Sequence, residues 1–141
     1  INGNKDSKIE DEIYKKNKNV KIFYSKYKPI DINRFKNDKI IAFSGIGNPT
    51  NFFNLLKENN LNLIKTISFP DHYYFSETDI EKLLRTANNK GGILLTTEKD
   101  YCRFNDSSII KNSKIQFLKI ELEIENKNNF IELLKNNIWK L

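Results

Sequence analysis

The chain alternates between short apolar runs and polar stretches, and the period of the apolar positions changes along it. Lys39-Ile-Ile-Ala-Phe-Ser44 is apolar on both faces, as a central parallel strand requires. Asn48 and Pro49 then form a helix start, an N-cap followed by a proline at the first helical position. Phe52, Phe53, Leu55 and Leu56 give that helix a broad apolar face, and Asn59-Asn60 ends it. Leu61, Leu63 and Ile67 alternate with polar residues in a strand running to Phe69. Ser76-Glu-Thr-Asp79 has the form of a capping box. Ile80, Leu83, Leu84 and Ala87 follow at helical spacing, and Asn88, Asn89, Gly91 and Gly92 close the helix. Ile93-Leu-Leu-Thr-Thr97 is the next strand.

The flanks are less regular. Residues 5–19 predict a surface loop or a short exposed helix, and Val20-Lys-Ile-Phe-Tyr24 a short strand. Residues 26–38, with Pro29, predict a connection. Residues 101–113 suggest a short helix and a loop. Ile115 to Ile124 alternates apolar and charged positions, which predicts an edge or partly exposed strand. Phe130, Leu133, Leu134 and Ile138 mark a final amphipathic helix, with Trp139 near its end. Strand and helix in alternation predict a three-layer α/β/α, Rossmann-like domain with a mostly parallel sheet over residues 1–141.

Three polar clusters each follow an apolar run: Ser44-Gly-Ile-Gly-Asn-Pro49, Phe69-Pro-Asp-His-Tyr-Tyr-Phe75 and Thr96-Thr-Glu-Lys-Asp100. Loops at strand C-terminal ends gather on one edge of an open α/β sheet, where ligands bind. The three are therefore expected to form one site. Gly45, Gly47 and Asn48 suit close approach to a phosphate, whose charge a helix N-terminus favours. They suit a ligand-free strand-to-helix turn as well. Neither the dinucleotide fingerprint nor a Gly-Lys-Ser/Thr phosphate loop occurs in the chain.

His72 is the only histidine. An imidazole on a loop can take or give a proton near neutral pH, and such help is worth roughly 10²–10⁴-fold in rate. It can also be a half-buried ring bonded to backbone. Asp71 would orient the loop or bind a substrate hydroxyl. The aromatic neighbours Phe69, Tyr73, Tyr74 and Phe75 would pack the loop or line a sugar or acyl site, with packing expected for at least two. Thr97, Glu98, Lys99 and Asp100 place a hydroxyl and three charges at a strand end. Lys99 would meet a phosphate, with Glu98 and Asp100 fixing it or capping a helix. A solvated turn with a local ion pair is the plain alternative.

Composition narrows the partners. The formal charge is +6, mostly from lysines spread along the chain among acids, with no dense basic block or RNA-binding signature, so nucleic acid is not expected. One cysteine, Cys102, excludes an internal disulfide, and with one histidine the usual zinc site is not expected. No apolar run approaches the ~20 residues of a membrane helix. The chain begins with isoleucine and contains no methionine, which suggests a part of a longer protein.

Taken in order, Gly45-Ile-Gly-Asn-Pro49 with Phe52-Phe53, Phe69-Pro-Asp-His72 with Ser76 and Asp79, and Thr96-Thr-Glu-Lys-Asp100 with Arg103 resemble the C-terminal half of the tetraacyldisaccharide 4'-kinases, the lipid A 4'-kinases. Ile1-Asn-Gly3 resembles the Asn-Gly that ends a strand before that half. The resemblance implies two α/β/α lobes joined by a two-stranded linker, with this chain as the C-terminal lobe.

It also implies transfer of the ATP γ-phosphate to the 4'-hydroxyl of a tetraacylated glucosamine disaccharide 1-phosphate. ATP and Mg²⁺ would be bound mainly by the N-terminal lobe, which would also supply a catalytic Asp. His72 is the residue that matches the family's histidine, with Asp71 beside it. The implied partners are the lipid A precursor, the N-terminal lobe and the anionic inner-membrane surface of a Gram-negative bacterium, on its cytoplasmic side. This stretch alone would then be inactive. A free-standing α/β domain holding a phosphorylated ligand, or a sugar-nucleotide lobe, is the competing expectation.

Overall fold

The structure is a computed structural model and describes residues 1–103 and 115–138. The chain divides into two compact units, one of residues 29–119 and one of residues 1–28 with 120–141. In chain order the elements are α1 (Ser7–Lys16), β1 (Ser25–Ile30), a 3-10 turn (Ile32–Phe35), β2 (Lys39–Ser44), α2 (Pro49–Glu58), β3 (Asn62–Ser68), α3 (Glu77–Lys90), β4 (Ile93–Thr97), α4 (Glu98–Arg103), β5 (Ile115–Ile124) and α5 (Lys127–Ile138). The five-stranded sheet has the order β1-β5-β4-β2-β3. The β2–β3, β2–β4 and β4–β5 pairs are parallel, giving the mostly parallel α/β sheet that the alternation of elements predicts.

The 29–119 unit carries its core on both faces of the sheet. Ile41, Phe43 and Leu94 point to one side, where they pack with Ile80, Leu83 and Ala87 of α3 and with Phe75. Ile40, Ala42 and Leu95 point to the other, against Phe52, Phe53 and Leu56 of α2. A strand with successive side chains on opposite faces must be apolar throughout when a helix covers each face. Full burial of each such side chain stabilises by roughly 1.5–3 kcal/mol.

The helix starts follow the local signals. The Asn48 side chain accepts from the Asn51 N–H with Pro49 in the first turn of α2. The Ser76–Asp79 capping box of α3 is fully formed, and α3 ends at Gly91 in the left-handed conformation. Two expectations are corrected. Residues 20–24 are not a strand; the strand lies at Ser25–Ile30 and includes Pro29. A proline is tolerated there because β1 is an edge strand. The expected polar cluster after β4 is not a loop either, because α4 starts directly at Glu98. Of the two forms expected for β5 the partly exposed one holds: it lies between β1 and β4, and its polar alternation marks exposure of its second half. Trp139 lies outside the described residues, as does most of the stretch expected after α4.

Register sets the site. Ser44 pairs with Ser68 of β3, while Ala42 pairs with Leu95 of β4, so Ser44, Ser68 and Thr97 end level. β3 flanks β2 on one side and β4 on the other, which makes the β2–β4 junction a topological switch point, the usual place for a ligand crevice.

Candidate functional site

The three clusters meet at this edge, and a buried carboxylate joins two of them across the switch point. Asp100 is 0% exposed. Its Oδ2 accepts from Ser44 Oγ (2.7 Å), the Gly45 N–H (3.1 Å) and Thr97 Oγ1 (2.8 Å). Its Oδ1 accepts from Arg103 Nη1 at 3.1 Å. A carboxylate can be buried only when its oxygens are satisfied and its charge is met. Asp100 meets that condition with the chain's own groups. Expected above to contact a ligand, to fix Lys99 or to cap a helix, it is a structural clasp. It is fully enclosed and bonded to Arg103, one helical turn along α4.

Arg103 carries the clasp to the third cluster. Nη1 also donates to the Gly45 carbonyl (2.9 Å), and Nη2 lies 3.2 Å from His72 Nδ1. The His72 N–H reaches the same Gly45 carbonyl at 3.0 Å. Phe69 N–H bonds Ser44 O at 2.8 Å, so the histidine loop is pinned to the end of β2 at both places. His72 itself has φ 58°, a left-handed conformation uncommon for a residue with a side chain. Such conformations persist where surrounding contacts over-determine them, often at functional positions.

The glycines serve this loop. A Cβ on Gly45 would meet Tyr73 Cβ at 3.1 Å and Pro70 O at 3.2 Å, and one on Gly47 would meet an Asp71 carboxylate oxygen at 3.3 Å. The close approach they permit is that of the chain's own His72 loop. Phe69, Tyr73 and Phe75 stack against one another, with ring centroids 4.8–5.2 Å apart, and Phe75 packs on Phe43. Packing thus takes three of the four aromatic neighbours. Tyr74 instead projects outward at 84% exposure.

His72 is presented to solvent, its side chain 72% exposed, with Asp71 beside it at 48%. Asp71 accepts the His72 N–H through Oδ1 (3.0 Å), and its Oδ2 stands 3.8 Å from His72 Nε2. The neighbouring carboxylate therefore braces the turn and faces the ring edge. Guanidinium has donors only, so the bond to Arg103 makes Nδ1 an acceptor and leaves the proton of a neutral ring on Nε2. Behind the loop, the Tyr73 hydroxyl donates to Asp79 Oδ2 (3.2 Å). That hydrogen bond, together with burial, raises the Tyr73 pKa. Hydrogen bonds from Ser76 hold the Asp79 carboxyl below its usual range.

Of the other expected site residues, Asn48, Glu98 and Lys99 are exposed and Thr97 is half-buried. Thr97 is turned to Asp100. Gly47 and Asn48 stand on the β2 side, and Glu98 and Lys99 open α4. The sequence reading missed Ser44 and assigned Arg103 no role. An arginine one helical turn after an aspartate was the available signal for the second.

No group of three or more His, Cys, Asp or Glu side chains that could hold a metal occurs among the described residues. Among those residues no helix is long and apolar enough to cross a membrane.

A family model described as tetraacyldisaccharide-1-P 4'-kinase, LpxK, matches residues 2–139. A tetraacyldisaccharide 4'-kinase of Pelagibacter ubique is 34% identical over 100% of this chain and 44% of its own length. One of Rickettsia typhi is 42% identical over 78% of this chain and 31% of its own length. The chain thus spans less than half the length of these relatives. The crystal structure of LpxK from Aquifex aeolicus, in complex with ATP, matches with TM-score 0.52 and 22% identity, over 87% of this chain and 40% of that one. At that identity the likeness speaks for the fold. With the family model and the Pelagibacter relative both spanning nearly all of it, the chain belongs to the tetraacyldisaccharide 4'-kinase family.

Proposed function

We propose that this chain is the C-terminal, acceptor-side lobe of a lipid A precursor kinase, with His72 acting where the acceptor hydroxyl is phosphorylated. The reaction of the whole protein would move the ATP γ-phosphate to the 4'-hydroxyl of tetraacyldisaccharide 1-phosphate. The observation that carries this reading is the clasp of Asp100 and Arg103 on α4, which ties the end of β2 to the loop of one exposed histidine at the switch-point edge of the sheet. Family membership supports it.

Phosphoryl transfer asks a protein mainly for positioning and charge stabilisation. The attacking hydroxyl must also lose a proton. With Nδ1 engaged by Arg103, His72 offers its Nε2–H. That Nε2–H would hydrogen-bond and orient a carboxylate base supplied by the rest of the protein, and the carboxylate would take the hydroxyl proton as the hydroxyl attacks. Asp71 braces the turn that carries the ring by accepting the His72 backbone N–H. Gly47, Asn48, Thr97, Glu98 and Lys99 line the same edge, and Lys99 is the cation assigned to a substrate phosphate. On this reading ATP and Mg²⁺ would be bound mainly by the N-terminal lobe. The +6 charge favours the anionic cytoplasmic face of a Gram-negative inner membrane, where the substrate lies.

The test is His72→Ala in the full-length kinase. Turnover should fall by roughly 10²-fold or more, with the circular dichroism spectrum and thermal midpoint unchanged. Turnover near the parent's would remove His72 from the reaction. As a control, the 141 residues alone should show no ATP-dependent phosphorylation. Robust turnover there would return the ATP site to this chain.

A further inference from the structure

We propose that Arg103 is a positioning residue that sets the tautomer and ring plane of His72, itself aimed by the buried Asp100. The catalytic importance of this role rests on the reading of His72 given above, while the positioning itself rests on geometry alone.

Arg103 makes three directed contacts. Nη1 is shared between Asp100 Oδ1 (3.1 Å) and Gly45 O (2.9 Å), and Nη2 faces His72 Nδ1 at 3.2 Å. A planar fork anchored at one nitrogen holds the other in a defined direction. The anchor is firm because Asp100 is itself bonded to Ser44, Gly45 and Thr97 and is sealed from water. Arg103 is only 20% exposed, whereas His72 is 72% exposed. An imidazole that open to solvent turns about its side-chain bonds and exchanges its proton between two nitrogens unless something fixes it. Within the loop, Asp71 touches the His72 backbone N–H and comes within 3.8 Å of Nε2, a distance too long to fix the ring by a hydrogen bond. Among the described residues, the short contact to the ring is the one from Arg103. It forces Nδ1 to accept, and so directs Nε2–H outward.

A lysine would not do the same. Its ammonium is a single point and cannot serve Asp100, Gly45 and His72 in three fixed directions. Misplacement of a reacting group by about 1 Å can cost ~10²-fold in rate, so loss of the fork should be read in kcat.

Two measurements test this. His72 is the only histidine of the chain, so ring ¹⁵N spectra of the 141-residue protein report on it alone. At mildly alkaline pH the parent should show an acceptor Nδ1 and a protonated Nε2, and Arg103→Met should move the Nδ1 signal and leave a tautomer mixture. An unchanged Nδ1 signal would overturn the proposal.

The second is a double-mutant cycle on kcat in the full-length kinase with Arg103→Met and His72→Ala. Arg103→Met alone should lower kcat by roughly 10–100-fold with KM little changed. In the His72→Ala background it should have no further effect, since a residue acting through His72 has nothing left to position. Equal losses in both backgrounds would give Arg103 an independent role and refute the proposal. Where Arg103→Met fails to fold, Arg103→Lys keeps the charge beside Asp100, and the spectrum and the cycle are read on it instead. If His72→Ala proves fully active, the catalytic reading fails, and the Nδ1 signal still decides whether Arg103 holds the ring.

Discussion

Thr96 stands inside β4 with its hydroxyl buried and, among the described residues, without a hydrogen-bond partner. An unsatisfied buried hydroxyl costs roughly 1–3 kcal/mol. Valine has nearly the same shape with a methyl in its place. Thr96→Val is therefore expected to stabilise the protein by about 1 kcal/mol, read as a later midpoint in urea at unchanged slope. An earlier midpoint would mean that the hydroxyl has a partner after all.

Thr96 and Asp100 also mark where residue-level reading stopped. Polar residues at a strand end look the same in sequence whether they meet water or one another. The partners of Asp100 at Ser44 and Gly45 lie 56 and 55 residues away, and the Arg103–His72 contact spans 31. No local period encodes such bonds. His72 stands out in the sequence because a lone histidine beside an aspartate is conspicuous; its contact with Arg103 does not.

At the scale of elements, local signals served well where they were dense. The capping box of α3 is the clearest case, and it is coupled to the histidine loop through Tyr73. Asp79 Oδ2 accepts from Ser76 N–H (3.1 Å), Ser76 Oγ (2.6 Å) and the Tyr73 hydroxyl (3.2 Å). The Ser76 bonds come first in lowering the Asp79 pKa. A carboxyl lowered by folding stabilises the folded state above its unfolded pKa of ~4, and that contribution is lost as pH falls through the folded value.

Asp79→Asn should accordingly destabilise the protein at neutral pH, with the gap to the parent closing in acid. Tyr73 has the opposite sign: its raised pKa adds stability below ~10 that is lost as pH rises through the folded value. Denaturation midpoints of parent and variant across pH measure both, and a gap independent of pH in acid would contradict the assignment. β1 shows the limit of such signals. A proline argued against a strand, yet the strand order decides whether that N–H is needed, and order is a property of the sheet.

For the whole molecule, the informative quantity is where apolar surface remains uncovered. Among the described residues, the unit of residues 1–28 and 120–141 supplies one of the eighteen buried hydrophobics, Tyr24, but eight of the ten large exposed ones. β5 shows the change along one strand face: Leu118 is 2% exposed, and Ile120 and Leu122 on the same face are 42% and 52% exposed. Neighbouring exposed apolar side chains on one strand face, as Ile120 and Leu122 are, suit an interaction site where they form a continuous patch. The chain spans 44% and 31% of the length of two relatives, so further polypeptide is the expected cover.

Covering one such side chain is worth roughly 1.5–3 kcal/mol. Ile120→Asp with Leu122→Asp should then act in opposite directions in two settings. In the 141-residue chain the pair should raise solubility and reduce self-association, measured by sedimentation. In the full-length kinase it should lower the thermal midpoint by several degrees. A full-length protein indifferent to both charges would show that this strand face stays open to water, and that the remaining polypeptide is anchored elsewhere.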